Sequence, residues 1–299
     1  MRLLLAAVLA LAAALPAAAL AQAPAYGPDT APAGANDYAC RPSAAHPNPV
    51  VLVHGLGANM QENWSYISPA LADAGYCVFA LTYGRKLDNP PPGDQPGGTV
   101  RMEDSVRQLA ALVDHVLVAT GAQKVDIVGH SEGSLMPDYY LRFLPEARDT
   151  LTSEPKVDRY VGMTPLWDGT DVGGVATIST LLAPTGAPDA LKGFVAGGCP
   201  SCPEFLADSD FIAKLNAGPG PRVPGVTYTM LMTRNDELVE PYTSGIMDGA
   251  TNIVVQDQCP ADPSEHAAMA FDPIVLRDIL NALDPAHAAA VDCTTYLAP

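Results

Sequence analysis

Short runs of aliphatic and β-branched residues punctuate the chain at 49–53, 77–81, 125–128, 157–161, 226–232 and 252–255. Their lengths suit strands, and most lead into glycine or polar turns followed by apolar residues at helical spacing. The clearest helix is predicted from Met102 to Val118, where Val106, Leu109, Leu112, Val113, Val116 and Leu117 fall near one stripe and Thr120-Gly121 ends the pattern. Alternation of this kind predicts an α/β fold, a mainly parallel six-stranded sheet covered by helices.

Three stretches depart from the alternation. Residues 1–21 carry one cation, Arg2, then an Ala-rich apolar run ending in small residues at Ala19 and Ala21. That pattern predicts a secretory signal peptide cleaved after Ala21, and the run is too short and too Ala-rich for a membrane anchor. Residues 22–48, rich in Ala, Pro and Gly without periodicity, read as an irregular lead to a single domain over 49–299. Residues 164–225 are longer than an ordinary connection and are expected to form a helical and loop cap beside the active site.

Composition narrows the partners. A formal charge of -17 and the lack of any Lys/Arg cluster argue against nucleic acid or anionic membrane surfaces. All six cysteines lie after residue 21, an even count that suits disulfides in an oxidising compartment. The expected bridges are Cys40 with Cys77, Cys199 with Cys202, and Cys259 with Cys293. Cys199 and Cys202 form a C-x-x-C that a redox motif or half a zinc site would also show, but no second pair of ligands accompanies it.

The chemistry concentrates in Gly129-His130-Ser131-Glu132-Gly133, a G-x-S-x-G between the predicted strand VDIV and a helix over EGSLMPDYYLRF. In that context the glycines permit a strained turn that lifts the Ser131 hydroxyl above the sheet, so Ser131 is the candidate nucleophile. Pro137 is awkward for a helix starting at Glu132, because it removes a hydrogen bond in the second turn.

A serine hydroxyl needs a histidine to take its proton, and the histidine needs a carboxylate to hold its tautomer. With the order Ser, acid, His, only His266 and His287 qualify as base. His266 lies in a loop after the last strand and is preferred; His287 follows the final helix. His54 and His130 are expected to serve structure, and His115 falls within the helix. Asp236, directly after the strand VTYTMLM, is the preferred acid over Asp257. Asp262 and Glu265 are close in sequence to His266, and Asp248 lies in a loop. The oxyanion donors are expected to be the backbone amides of Glu132 and of Leu56 in the HGLGAN loop.

PVVLVHGLGANMQENW, CVFALTYG, ATGAQKVDIVGHSEGSLMPDYYLRFL, YVGMTP, TRNDELVEPY and the HAAMAFDP loop together resemble the secreted bacterial class 2 lipases of the α/β-hydrolase family. The resemblance runs from about Cys40 to Cys293 and is weakest over 164–225. It implies the same roles for Ser131, Asp236, His266, Leu56 and Glu132, and a compact core without the first strands of larger hydrolases. Ser134 stands where members usually carry a second glycine, which bears on packing of the elbow helix.

The expected reaction is acyl transfer from an ester to water through an acyl-enzyme, with no cofactor or metal, by a secreted monomer. The resemblance implies acylglycerols as substrate. The same triad would serve a short-chain carboxylesterase, a polyester depolymerase or an acyltransferase. A silent binding protein of this fold would normally lack one triad residue, and none is missing.

Overall fold

A computed structural model of the 299-residue chain describes residues 30–85, 96–171 and 199–295. The segment expected to be a signal peptide and residues 172–198 of the expected cap lie outside the described residues.

The sheet has six strands: β1 (Val50–Val53), β2 (Val78–Leu81), β3 (Val125–His130), β4 (Val157–Met163), β5 (Thr227–Met232) and β6 (Thr251–Val254). All pairings are parallel, in the order β2-β1-β3-β4-β5-β6. The inner runs, such as VVLV of β1, are continuous in apolar residues because both faces are covered there, while the edge strand β6 is partly exposed. Val51, Val53 and Ile127 pack on one side with α3 (Met102–Thr120) and α4 (Met136–Phe143), in the notation α1 (Met60–Trp64) and α2 (Ile67–Asp73) for the preceding helices. Val50, Leu52 and Val128 pack on the other with Trp64, Ile67 and Leu71 of α1 and α2. Each fully buried aliphatic side chain contributes roughly 1.5–3 kcal/mol.

Glu103 and Asp104 complement the N-terminal dipole of α3, and Gly121 ends it in the left-handed region, φ 75°, its amide donating to the Leu117 carbonyl. Pro137 causes no kink. A 3-10 turn over Ser131–Ser134 precedes α4, so the proline stands in the first turn, where its missing N–H is not needed.

The three disulfides join the expected cysteines, Cys40–Cys77, Cys199–Cys202 and Cys259–Cys293. The N-terminal lead is less irregular than its composition suggests. Ala35 forms a parallel bridge with Val78, and the Asn36 carboxamide pairs with both the amide (2.8 Å) and the carbonyl (2.9 Å) of Ala80. The lead thereby covers the open edge of β2, and Cys40–Cys77 ties it there.

Candidate active site

Strand order reverses between β1 and β3, and the crevice at their carboxyl ends is where an open α/β sheet presents a site. The HGLGAN loop follows β1 and Ser131 follows β3. The register pairs Val53 with Gly129, so the two loops leave the sheet side by side. A Cβ placed on Gly55 would lie 3.2 Å from the Ser131 Cβ, which measures how closely they approach.

Ser131 sits at φ 54°, a strained value for a residue with a side chain, as a sharp strand-to-helix elbow requires. The flanking glycines allow that elbow by close backbone approach. A Cβ on Gly129 would meet the Gly133 carbonyl oxygen at 1.9 Å, and one on Gly133 would meet that of Val53 at 2.1 Å. Ser134, in place of a further glycine, is accommodated by its hydroxyl, which donates to the Ser131 carbonyl at 2.6 Å.

Asp236 and His266 meet directly, with His266 Nδ1 at 2.8 and 3.0 Å from the two carboxylate oxygens. Their side chains are 2% and 5% exposed. The Asp236 carboxylate is fixed from behind by the amides of Leu238 (3.0 Å) and Val239 (2.8 Å). Burial alone pushes His266 down, but the charge and hydrogen bond of Asp236, with Glu237 and Glu265, outweigh it and leave the ring's pKa raised.

The loops that carry Asp236 and His266 are stitched together by side chains that no motif singles out. Thr233 donates to the Ser264 carbonyl at 2.6 Å, Asn235 to the Asp262 carbonyl at 3.2 Å, and Gln256 to Thr233 Oγ1 at 2.8 Å. The base loop reaches the elbow through His130, whose ring lies 5.3 Å from that of His266 between centroids. His130 Nε2 is 3.1 Å from the His266 carbonyl oxygen.

The other candidates are elsewhere or occupied. Asp257 is paired with Arg234 at 2.6 Å on the surface. His287 is exposed and paired with Asp284. Asp248 is exposed, and His115 stacks on Tyr38. Asp262 accepts from the Ser264 amide, and Glu265 from the amides of Ala267 and Ala268. His54 stacks on Tyr83 and accepts its hydroxyl through the backbone carbonyl.

Leu56 is half-buried, while the side chain of Glu132 is fully buried. Burial, aided by the charge of Glu204, pushes the Glu132 carboxyl well above the carboxylate range. The neutral acid is favoured at that position.

Described parts of the expected cap segment contact Gly98 and the start of α3. Ser201 donates to the Gly98 carbonyl at 2.6 Å, and Glu204 accepts from the Met102 amide at the start of α3 (2.8 Å) and from Arg101 (3.1 Å). Cys199 and Cys202 are both 0% exposed, unlike the accessible thiols of redox motifs. A cleft of about 660 Å³ opens here between Arg101, Glu103, Glu204, Phe211 and Lys214, and none of Ser131, Asp236 or His266 lines it. Among the described residues no three His, Cys, Asp or Glu side chains converge as metal ligands, and no helix is long and apolar enough to cross a membrane.

Comparison with known proteins agrees with this architecture. A triacylglycerol lipase of Pseudarthrobacter phenanthrenivorans is 37% identical over 115 residues, which is 37% of this chain and 33% of that protein. One from Burkholderia plantarii is 37% identical over 115 residues, covering 37% and 29%. The matched part thus spans about a third of the length of these relatives. Among solved structures, Aspergillus fumigatus lipase B superposes with a TM-score of 0.62 at 19% identity, over 89% of this chain and 57% of that one. Mature Bacillus licheniformis lipase BlEst2 gives 0.55 at 15% identity, over 82% and 94%. Both likenesses establish the α/β-hydrolase fold. The model of the family described as "Lipase (class 2)" matches residues 47–277, and the chain belongs to that family.

Proposed function

We propose that the protein is a secreted serine ester hydrolase that acts on acylglycerols. Ser131 is the nucleophile, His266 the general base and Asp236 the residue that orients it. The backbone amides of Leu56 and Glu132 receive the oxyanion. The observation that carries the proposal is the contact of both Asp236 oxygens with His266 Nδ1, in loops that meet the strained Ser131 elbow through His130.

In the forward step the Ser131 oxygen attacks the ester carbonyl as His266 Nε2 takes its proton. Asp236 holds Nδ1–H and stabilises the imidazolium. The two amides meet the charge on the former carbonyl oxygen, where preorganised donors are worth most. Collapse expels the alcohol, which leaves with the proton from His266. Water then attacks the acyl-enzyme by the same route. Three disulfides suit export to an oxidising compartment. The curated relatives named as triacylglycerol lipases favour acylglycerols as the substrate class.

The test is hydrolysis of p-nitrophenyl esters from C2 to C16, emulsified triacylglycerol and a polyester film, with Ser131→Ala as control. Long-chain and emulsion activity lost in the variant supports the proposal. Activity confined to short soluble esters would make it a carboxylesterase, and preference for the film a depolymerase. An absence of Ser131-dependent turnover on all of them would overturn the hydrolase reading.

A further inference from the structure

We propose that Asn63, in α1, is a positioning residue that holds the oxyanion loop against the nucleophile elbow by accepting from the Gly55 amide beside His130. The inference rests on the assignment of Ser131, Asp236 and His266 as the triad.

The Asn63 side chain is buried, with the residue 5% exposed. Its carboxamide oxygen accepts from the Gly55 amide at 3.0 Å and lies 3.0 Å from His130 Nδ1. The opposite ring nitrogen of His130 is 3.1 Å from the carbonyl oxygen of His266. One line of contacts therefore runs from the amide preceding Leu56, through Asn63, to the residue preceding Ser131, and on to the backbone of the base. The Gly55 N–H fixes the carboxamide orientation, because turning the NH2 toward it would set two donors face to face.

This line joins three segments that leave the sheet or its helices separately: residues 54–58 after β1, the elbow after β3, and the loop around His266. Burial, reinforced by neighbouring His266, pushes the His130 pKa down to about 3, so the neutral ring carries one N–H between two acceptors. That N–H serves only one of the two acceptors, and donation from Nδ1 to the Asn63 oxygen is what ties the elbow to the oxyanion loop, the same oxygen being held by the Gly55 amide in either case. Oxyanion donors act only when placed within a few tenths of an ångström of the developing charge, and a loop released from its acceptor loses that placement.

The experiment compares Asn63→Leu, which keeps the shape and removes the acceptor, with Asn63→Asp, which keeps the acceptor oxygens. Each is assayed on a soluble p-nitrophenyl ester, with active-site titration and melting temperature measured alongside. Asn63→Leu is expected to lose about tenfold or more in kcat per titrated site with KM within about twofold, and Asn63→Asp to recover most of that loss. Asn63→Ala replaces the leucine variant if the latter does not fold, and the same ranking is expected. Equal kcat in the acceptor-less and acceptor-bearing variants, or a kcat per titrated site unchanged by loss of the acceptor, would overturn the inference. A wild type no faster than Ser131→Ala would instead remove the triad reading, and this inference with it.

Discussion

Both carboxylate oxygens of Asp236 face the single Nδ1 of His266, at 2.8 and 3.0 Å. A neutral imidazole has one N–H, and this arrangement fixes it at Nδ1 and leaves the Nε2 lone pair free to accept a proton, as the proposed mechanism requires.

Asp236→Asn breaks that arrangement without changing shape, since the carboxamide can present an NH2 to Nδ1 and favour the wrong tautomer. The expected loss is on the order of 10³–10⁴ in kcat with a small change in KM. The base must be neutral to act, and its pKa is raised, so wild-type kcat/KM should climb with pH through a value above the ordinary histidine value of about 6.5. In the variant, the upward push of Asp236 is lost and burial is opposed only by Glu237 and Glu265, so the residual activity should begin at lower pH than in the wild type. A pH–rate profile of both proteins checks the direction.

Much of this was legible in the chain, for identifiable physical reasons. The central strands stood out because their residues are buried on both faces, leaving unbroken aliphatic runs such as VVLV, whereas the edge strand β6, TNIV, is partly exposed. The candidates Ser131, Asp236 and His266 came from one local motif and the order of loops along the sheet, and the structure brings Asp236 and His266 into contact. What stayed hidden was the support: Asn63 with His130, Thr233 with Ser264, and Glu204 with Met102 are contacts across 67, 31 and 102 positions. Such pairs leave no local periodicity, and each residue type is common in turns or helix ends. His130 was expected to serve structure, and its ring lies beside that of His266. The break before α4 could have been read from Pro137, because a proline is tolerated in a first turn and not a second.

Gly133→Ala should damage folding and activity together. The added Cβ would lie 2.1 Å from the Val53 carbonyl and 2.6 Å from that of His54, backbone atoms that cannot swing aside. Overpacking of this kind costs about 1–3 kcal/mol or more, and relief by moving the elbow would displace Ser131. Melting temperature and kcat measured on the same preparation should both fall. A variant of undiminished kcat would show that the elbow relaxes without consequence.

Asp126→Asn should stabilise the protein above neutrality. Asp126 is 3% exposed and accepts from the Arg159 amide and Asn48. Burial first, then the charge of Asp158, raises its pKa to about 7. The folded state therefore binds this proton more tightly than the unfolded chain, whose aspartate titrates near 4, and stability falls as pH rises from about 4 to about 7. Replacing the group with asparagine keeps an acceptor oxygen and removes the loss, worth on the order of 2–4 kcal/mol at pH 8 and little at pH 4. Melting curves across that range should diverge toward high pH, by about 2–4 °C per kcal/mol. A gap independent of pH would contradict the assignment.

The most direct test of the central claim is covalent trapping by an alkyl p-nitrophenyl phosphonate, whose phosphorus is attacked as an ester carbonyl would be and whose adduct resembles the tetrahedral intermediate. Peptide mapping by mass spectrometry is predicted to find one adduct per chain, on Ser131, with inactivation in step with labelling and none in Ser131→Ala. Loss of activity with the adduct on another residue, or turnover that survives full labelling of Ser131, would contradict it.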